Sequence, residues 1–177
     1  VMTPVELLAG IGQRFELLRG GRRRRSKQTL EDTLDWSYDL LDDEEQRLFR
    51  ACGVFVGSFD LDAVVAISGL SRSMALDLTE SLIAKSLIVS ERAADRARFR
   101  LLETAAAYAE QALDRLGEVQ AVRDRHLDHY VGLCLPFDIG FWPSRLALKV
   151  GVDRDNIRAA VKWAGLVGRW EDAGRIV

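Results

Sequence analysis

The stretch Ser81–Leu101, SLIAKSLIVSERAADRARFRL, changes its period half-way along. Leu82 and Ile83 continue an apolar set begun at Leu76 and Leu78, the rhythm of one side of a helix. Leu87, Ile88 and Val89 then run together as a strand, and Ala93, Ala94, Asp95 and Arg96 make a polar turn. Arg98 to Leu101 reads as the returning strand, with Phe99 and Leu101 on one face.

Upstream, Ser71 caps the helix that feeds this hairpin, and Gly69 stops the one before it, Leu61 to Ile67. Val54, Phe55 and Val56 form a short apolar run that ends at Gly57-Ser58. Before that run, Asp42 caps a helix whose inner face is Leu48, Phe49 and Cys52, and Glu45 occupies the capping-box position. Three short helices followed by a β-hairpin is the order of a winged helix, built on a helix-turn-helix core. Two more helices are predicted ahead of it. One is capped by Thr3 with Pro4 at its first position and carries Leu7, Leu8, Ile11, Phe15 and Leu18 as far as Gly20-Gly21. The other runs from about Thr29 to Leu41 with Leu30, Leu34, Trp36, Leu40 and Leu41 as its apolar set, and Trp36 is expected to anchor the core of the winged-helix domain.

Downstream the chain is helical again from Glu103, with Tyr108, Leu113 and Leu116 facing inward as far as Gly117. Val119 to Cys134 spaces Val122, His126, His129, Tyr130 and Leu133 along a second helix, and Pro136, Gly140 and Pro143 punctuate a loop. Ile157, Ala160, Val161 and Ala164 mark a third, and Trp170 opens the last. An antiparallel helix pair with small residues at its contact is how helical solenoids begin, although one pair does not establish a repeat. The expected fold class is mainly α: a winged helix (helices plus a small β-hairpin) followed by an α-helical hairpin or solenoid start.

The composition narrows the function classes. With 48% hydrophobic and 29% charged residues the chain reads as a soluble globular protein, and its 177 residues suffice for one large or two small domains. No apolar run approaches the roughly 20 residues of a membrane span, and the N-terminus has no signal-peptide pattern. Cys52 and Cys134 fit no metal spacing and read as reduced thiols, so a cytoplasmic location without membrane contact is expected. Val1 and Val177 read as internal to a longer chain. A net charge of −2 hides an asymmetry: the basic cluster Arg22, Arg23, Arg24, Arg25 and Lys27 precedes Glu31, Asp32, Asp35, Asp39, Asp42, Asp43, Glu44 and Glu45. Such a layout suits contact between domains or with an anionic ligand, and equally two solvated faces.

Four segments, TLEDTLDWSYDLLDDEEQRLF (29–49), VFVGSFDLDAV (54–64), SLIAKSLIV (81–89) and RFRLLETAAAYAEQAL (98–113), together resemble the signal-transduction NTPases with numerous domains, the STAND or AP-ATPase type found in actinobacterial LuxR-type transcriptional regulators. The resemblance covers nearly the whole chain. It implies that residues 1–26 are the terminal helix of a nucleotide-binding module with its basic loop, that 27–116 are its winged-helix domain, and that 117–177 lead into tetratricopeptide-like repeats through RDNIRAAVKWA (154–164). It further implies a non-catalytic part that relays nucleotide and inducer state between ATPase and sensor repeats. The parent would hold ATP or ADP with magnesium and bind DNA through a domain outside this chain; its partners here would be other domains of the parent and a protein or small-molecule inducer. The alternatives are a DNA-binding winged helix and a helical-repeat scaffold for a protein or inducer.

The residues themselves offer little chemistry. A phosphate loop needs glycines for close backbone approach, a lysine for phosphate charge and a hydroxyl for magnesium. In Gly21–Gln28, Ser26 stands where the second glycine belongs and Gln28 where Ser or Thr belongs. Arg22, Arg23, Arg24, Arg25 and Lys27 are therefore only weak candidates for cofactor phosphates. Relatives close the winged helix over nucleotide through a Met-His-Asp-type motif, which aligns with Leu101, Leu102 and Glu103; a leucine cannot donate to phosphate, so Leu102 is expected in the core and Glu103 at a helix start. His126 and His129 share a helix face, but zinc needs three or four converging ligands. No nucleophile motif accompanies them, so no catalytic or metal residue is assigned. The helix from Ser71 to Lys85 offers DNA only Arg72 and Lys85, offset by Asp77 and Glu80, and the wing adds Arg92 and Arg96 alongside Arg98 and Arg100. With a pI near 5.8, these are weak DNA-binding candidates.

The purified chain is expected not to hydrolyse ATP. Steady phosphate release that disappears in Lys27→Ala would contradict this.

Overall fold

A computed structural model describes residues 32–92, 97–134 and 151–176, with only the backbone of Arg92. The chain divides into two compact units, Val1–Leu40 and Leu41–Val177. Within the first, residues 32–39 are helical, and the Ser37 hydroxyl donates to the Thr33 carbonyl at 2.8 Å. Trp36 is 66% exposed, which corrects the expectation that it anchors a core. The reason is angular: two residues along a helix turn the side chain about 200°, so Trp36 and Leu34 cannot share a face. The partly covered positions are Leu34, Ser37 and Tyr38, at the i, i+3, i+4 spacing that excludes Trp36.

The second unit starts with α1 (Asp43–Cys52). The Asp42 carboxylate accepts from the amides of Glu44 and Glu45 at 3.0 and 2.9 Å, and the Glu45 carboxylate accepts from the Asp42 amide at 2.9 Å, closing the expected capping box. Glu45 is also buried, accepts from the Ser81 hydroxyl at 2.5 Å and pairs with Lys85. Helix α2 (Leu61–Ser68) is capped by Asp60, which accepts from the Ala63 amide at 2.9 Å, and ends at Gly69, whose φ of +73° is the left-handed turn that glycine adopts without strain. Helix α3 (Arg72–Ala84) is capped by Ser71 as expected. Strands β1 (Ile88–Arg92) and β2 (Ala97–Leu101) pair antiparallel in a register from Ile88 opposite Leu101 to Arg92 opposite Ala97. Phe59, in the α1–α2 connection, exchanges both backbone hydrogen bonds with Phe99 at 2.8 Å, which ties that connection to the far edge of β2.

Then come α4 (Glu103–Arg115), α5 (Val119–Cys134), α6 (Arg154–Leu166) and α7 (Trp170–Ile176). Helix α4 returns along α1, and the approach is close: a Cβ on Gly53 would stand 2.7 Å from the Glu110 nitrogen. Helix α5 packs on α2, α6 on α5, and α7 on both α5 and α6. The core runs continuously through this unit, from Leu48, Phe49, Phe59 and Ile67 to Leu113, Leu127 and Tyr130. The architecture is a winged helix followed by helices, with a two-stranded sheet. The boundary expected at 116/117 is one of repeat type, which packing does not address.

Four leucines read as inward are in fact exposed: Leu40, Leu76 and Leu116, assigned by spacing, and Leu102, assigned to the core from its place in the aligned motif. Leu102 precedes α4 with extended backbone, and no neighbouring element covers it as a core reading required. Cys52 and Cys134 are buried free thiols, and burial pushes the Cys52 thiol up to about 12, leaving it unreactive. Among the described residues no helix is long and apolar enough to cross a membrane.

Truncating a fully buried aromatic costs about 3–5 kcal/mol. Phe59→Ala is therefore expected to lower the denaturant midpoint sharply, whereas Trp36→Ala should shift it by no more than about 0.5 kcal/mol, as an exposed position does. Equal shifts in urea melts of the two variants would contradict this assignment.

Candidate nucleic-acid interface and interdomain joint

In a helix-turn-helix the second helix is the one that can enter a DNA groove, and α3 holds that place. Its inner side is Ala75, Thr79 and Leu82, all fully buried, with the Thr79 hydroxyl donating to the Ala75 carbonyl at 2.6 Å. The outer side presents Ser73, Leu76, Asp77, Glu80 and Ala84. No Arg, Lys, Asn or Gln stands among them, and the two charges repel phosphate.

The cations expected to offset this are engaged. Arg72 pairs with Asp62 across the helix-turn-helix, and Lys85, at the C-terminal cap of α3, pairs with the buried Glu45. On the wing, Arg100 pairs with Glu91 across the strands. The Arg92 side chain and all of Arg96 lie outside the described residues, as do Arg22, Arg23, Arg24, Arg25 and Lys27. The structure thus does not bring Arg72 and Lys85 together on one reading face; it ties each to its own carboxylate.

Arg98 behaves differently. Its side chain turns inward from β2 and is 8% exposed. Its Nε donates to the Ser58 hydroxyl at 2.9 Å, and its Nη2 donates to the Ser58 carbonyl at 2.7 Å and to Asp153 at 2.6 Å. Asp153, immediately before α6, is itself only 2% exposed. Asn156, one turn on, completes the joint: its side-chain oxygen accepts from the Val56 amide at 2.7 Å and its nitrogen donates to the Ser58 carbonyl at 2.9 Å. The connection 53–60 is consequently held by the wing strand on one side and by α6 on the other.

Sequence reading missed Asp153, Asn156 and Ser58. One signal was available: Asn156, Ala160 and Ala164 lie four apart, so Asn156 sits on the buried stripe of α6, where a polar residue demands partners.

His126 lines the same joint, buried between Phe55 and Tyr130 with ring centroids at 5.5 and 4.8 Å. Burial depresses its pKa to about 4, and the positive neighbours His129 and Arg123 add to the effect against an opposing hydrogen bond with Asn156. It is a neutral packing side chain. Among the described residues no group of three or more His, Cys, Asp or Glu is arranged to hold a metal ion.

These features define a winged helix-turn-helix domain, and residues 41–114 match that domain family. The chain is 40% identical over 172 residues to a Mycobacterium tuberculosis protein, Rv0890c, named as an HTH-type transcriptional regulator; the match covers 92% of this chain and 19% of that protein. The same figures hold for its Mycobacterium bovis counterpart, Mb0914c. An uncharacterized M. tuberculosis protein, Rv0894, is 37% identical over 134 residues, covering 72% of this chain and 34% of its own length. The chain therefore spans about a fifth of the regulators it resembles. No solved structure matches significantly.

The His126 environment makes stability depend on pH. The unfolded chain takes up this proton below about pH 6.5 and the folded chain only near 4, so the unfolded state binds more protons between them and stability rises with pH. Stability from neutral His126 is complete above pH 6.5, and about 3 kcal/mol of it is lost as pH falls through 4. Urea midpoints at pH 7.5, 5.5 and 4 should show this loss, and His126→Gln should flatten the part between 6.5 and 4. An unchanged profile in the variant would rule it out.

Proposed function

We propose that this chain is a non-catalytic coupling element of a larger DNA-binding transcription regulator, in which the winged helix works as a packed relay between neighbouring domains. The helix-turn-helix domain and the names of the mycobacterial relatives support DNA-binding regulation for the protein as a whole. The observation that carries the coupling role is the Arg98–Asp153–Asn156 joint, which locks the wing strand and the α1–α2 connection to α6 through buried polar bonds. A displacement of α6 must move the wing or break a buried ion pair, so the joint supplies the mechanical link that relay between sites needs.

On the same reading, the parent is an ATPase of the STAND type with a LuxR-type DNA-binding domain, the helices after residue 117 open a repeat region that receives a protein or small inducer, and the protein works in the cytoplasm. These assignments rest on the sequence resemblance. ATP or ADP with magnesium would be held outside this chain, because residues 21–28 lack the second glycine and the hydroxyl that a phosphate loop uses.

A second reading is favoured by the domain match itself: the winged helix reads DNA directly. The acidic outer face of α3 weighs against it.

Two measurements separate the readings. Asp153→Asn leaves Arg98 buried without its counter-charge, which costs about 3–5 kcal/mol, and the paired change Arg98→Met with Asp153→Leu should restore much of it. In hydrogen exchange, Asp153→Asn should loosen β2 and the 53–60 connection as well as α6; loosening confined to α6 would defeat the coupling reading. Fluorescence anisotropy with specific and scrambled duplexes at several salt concentrations should show weak, non-discriminating binding. Tight, sequence-selective binding lost in Arg72→Ala or Lys85→Ala would make the winged helix the DNA reader.

A further inference from the structure

A cavity of about 310 Å³ opens where α1, the end of α2 and the α4–α5 turn meet. That is the small end of the roughly 300–1,000 Å³ of ligand cavities. Its floor is apolar, made of Leu48, Ala51 and Val122. Arg47 reaches it from α1 and Arg125 from α5. The Arg125 Nε donates to the Ile67 carbonyl at 2.5 Å, which fixes the guanidinium at the wall and leaves its terminal nitrogens for another acceptor.

The charge balance decides what fits. Glu118 also lines the cavity, but Arg50, buried beneath, grips it at two points, Nε to Oε2 and Nη2 to Oε1, each at 3.0 Å. Its charge is spent on that pair. Glu44 is the other acid among the lining residues, and it stands in the first turn of α1, where the helix dipole already favours a negative charge. Two arginines against one remaining carboxylate leave one positive charge facing an apolar floor. Guanidinium groups recognise a carboxylate with paired N–H donors.

We propose that this cavity is a binding site for a small organic monocarboxylate: an acid group held by Arg47 and Arg125, and an apolar body of aromatic or branched aliphatic kind on Leu48, Ala51 and Val122. The site lies between the winged helix and the helix that follows it. Its occupancy is measured independently of the coupling reading, so either can fail alone.

The test is a titration of the full 177-residue chain, 15N-labelled, followed by amide shifts. The probes are 3-phenylpropionate, its neutral amide 3-phenylpropionamide, and inorganic phosphate. The carboxylate should give saturable shifts at Gly117 and Ala121, and the amide should bind about tenfold more weakly, the loss of one charge-assisted contact. Arg47→Gln and Arg125→Gln should each weaken the carboxylate about tenfold, with the thermal midpoint of Arg47→Gln, an exposed position, unchanged. Ala121→Phe fills the cavity and should abolish the shifts, while Arg158→Gln, an exposed arginine of α6, should leave them intact. The proposal is overturned if the carboxylate gives no saturable shifts there, if the amide binds as tightly, if phosphate alone matches the carboxylate, or if Arg158→Gln weakens binding as much as Arg47→Gln.

Discussion

A guanidinium cannot be taken out of water cheaply. Arg98 is carried into the interior by β2, and burying that charge costs several kcal/mol unless it is paired and its donors are used. Much of the second unit is arranged around this requirement. Ser58 supplies a hydroxyl and a carbonyl, Asp153 supplies the counter-charge, and Asn156 donates to the same Ser58 carbonyl and accepts from the Val56 amide. The connection between α1 and α2 has no helix of its own, and these polar bonds add to the backbone pairing of Phe59 with Phe99 and to the buried side chains of Val54, Phe55 and Phe59. The winged helix and the helices behind it share this polar network as well as a continuous apolar core.

The same use of internal partners shapes the face that the helix-turn-helix turns outward. Cations that could serve phosphates have carboxylate partners within the domain: Lys85 pairs with the buried Glu45, Arg72 with Asp62 in an exposed pair, and Arg98 with Asp153 in the joint. What remains outward on α3 is acidic and apolar, chemistry suited to a protein surface and not to a polyanion. A helix-turn-helix scaffold fixes the position of its second helix but not the side chains that helix presents, so the fold alone does not settle what the face binds.

Burial also sorts the titratable groups. Cys52 and His126 are held in their neutral forms by desolvation, while Glu45 stays charged: burial raises its pKa, but Lys85, the Ser81 hydroxyl and the Asp42 amide together outweigh that and bring it below its ordinary value. The difference lies in partners, since His126 packs between rings while Glu45 has a cation and two further donors around it.

Helix caps and periods were legible in the chain by itself. Asp42 with Glu45, Ser71 and Gly69 mark helix limits by chemistry that acts within one turn, and the change from period 3.6 to period 2 after Lys85 announced the hairpin. Those are local rules, so local sequence states them. Spacing did less well at choosing faces: Trp36, Leu40, Leu76 and Leu116 are apolar and helix-compatible, yet exposed, because burial depends on which neighbour arrives and not on the residue's own hydropathy. The joint was decided only by tertiary structure. Arg98 and Asp153 stand 55 residues apart, and Val56 and Asn156 stand 100 apart. No pattern along the chain links them, since it is the packing of α5 on α2 and of α6 on α5 that brings a buried charge to its partners.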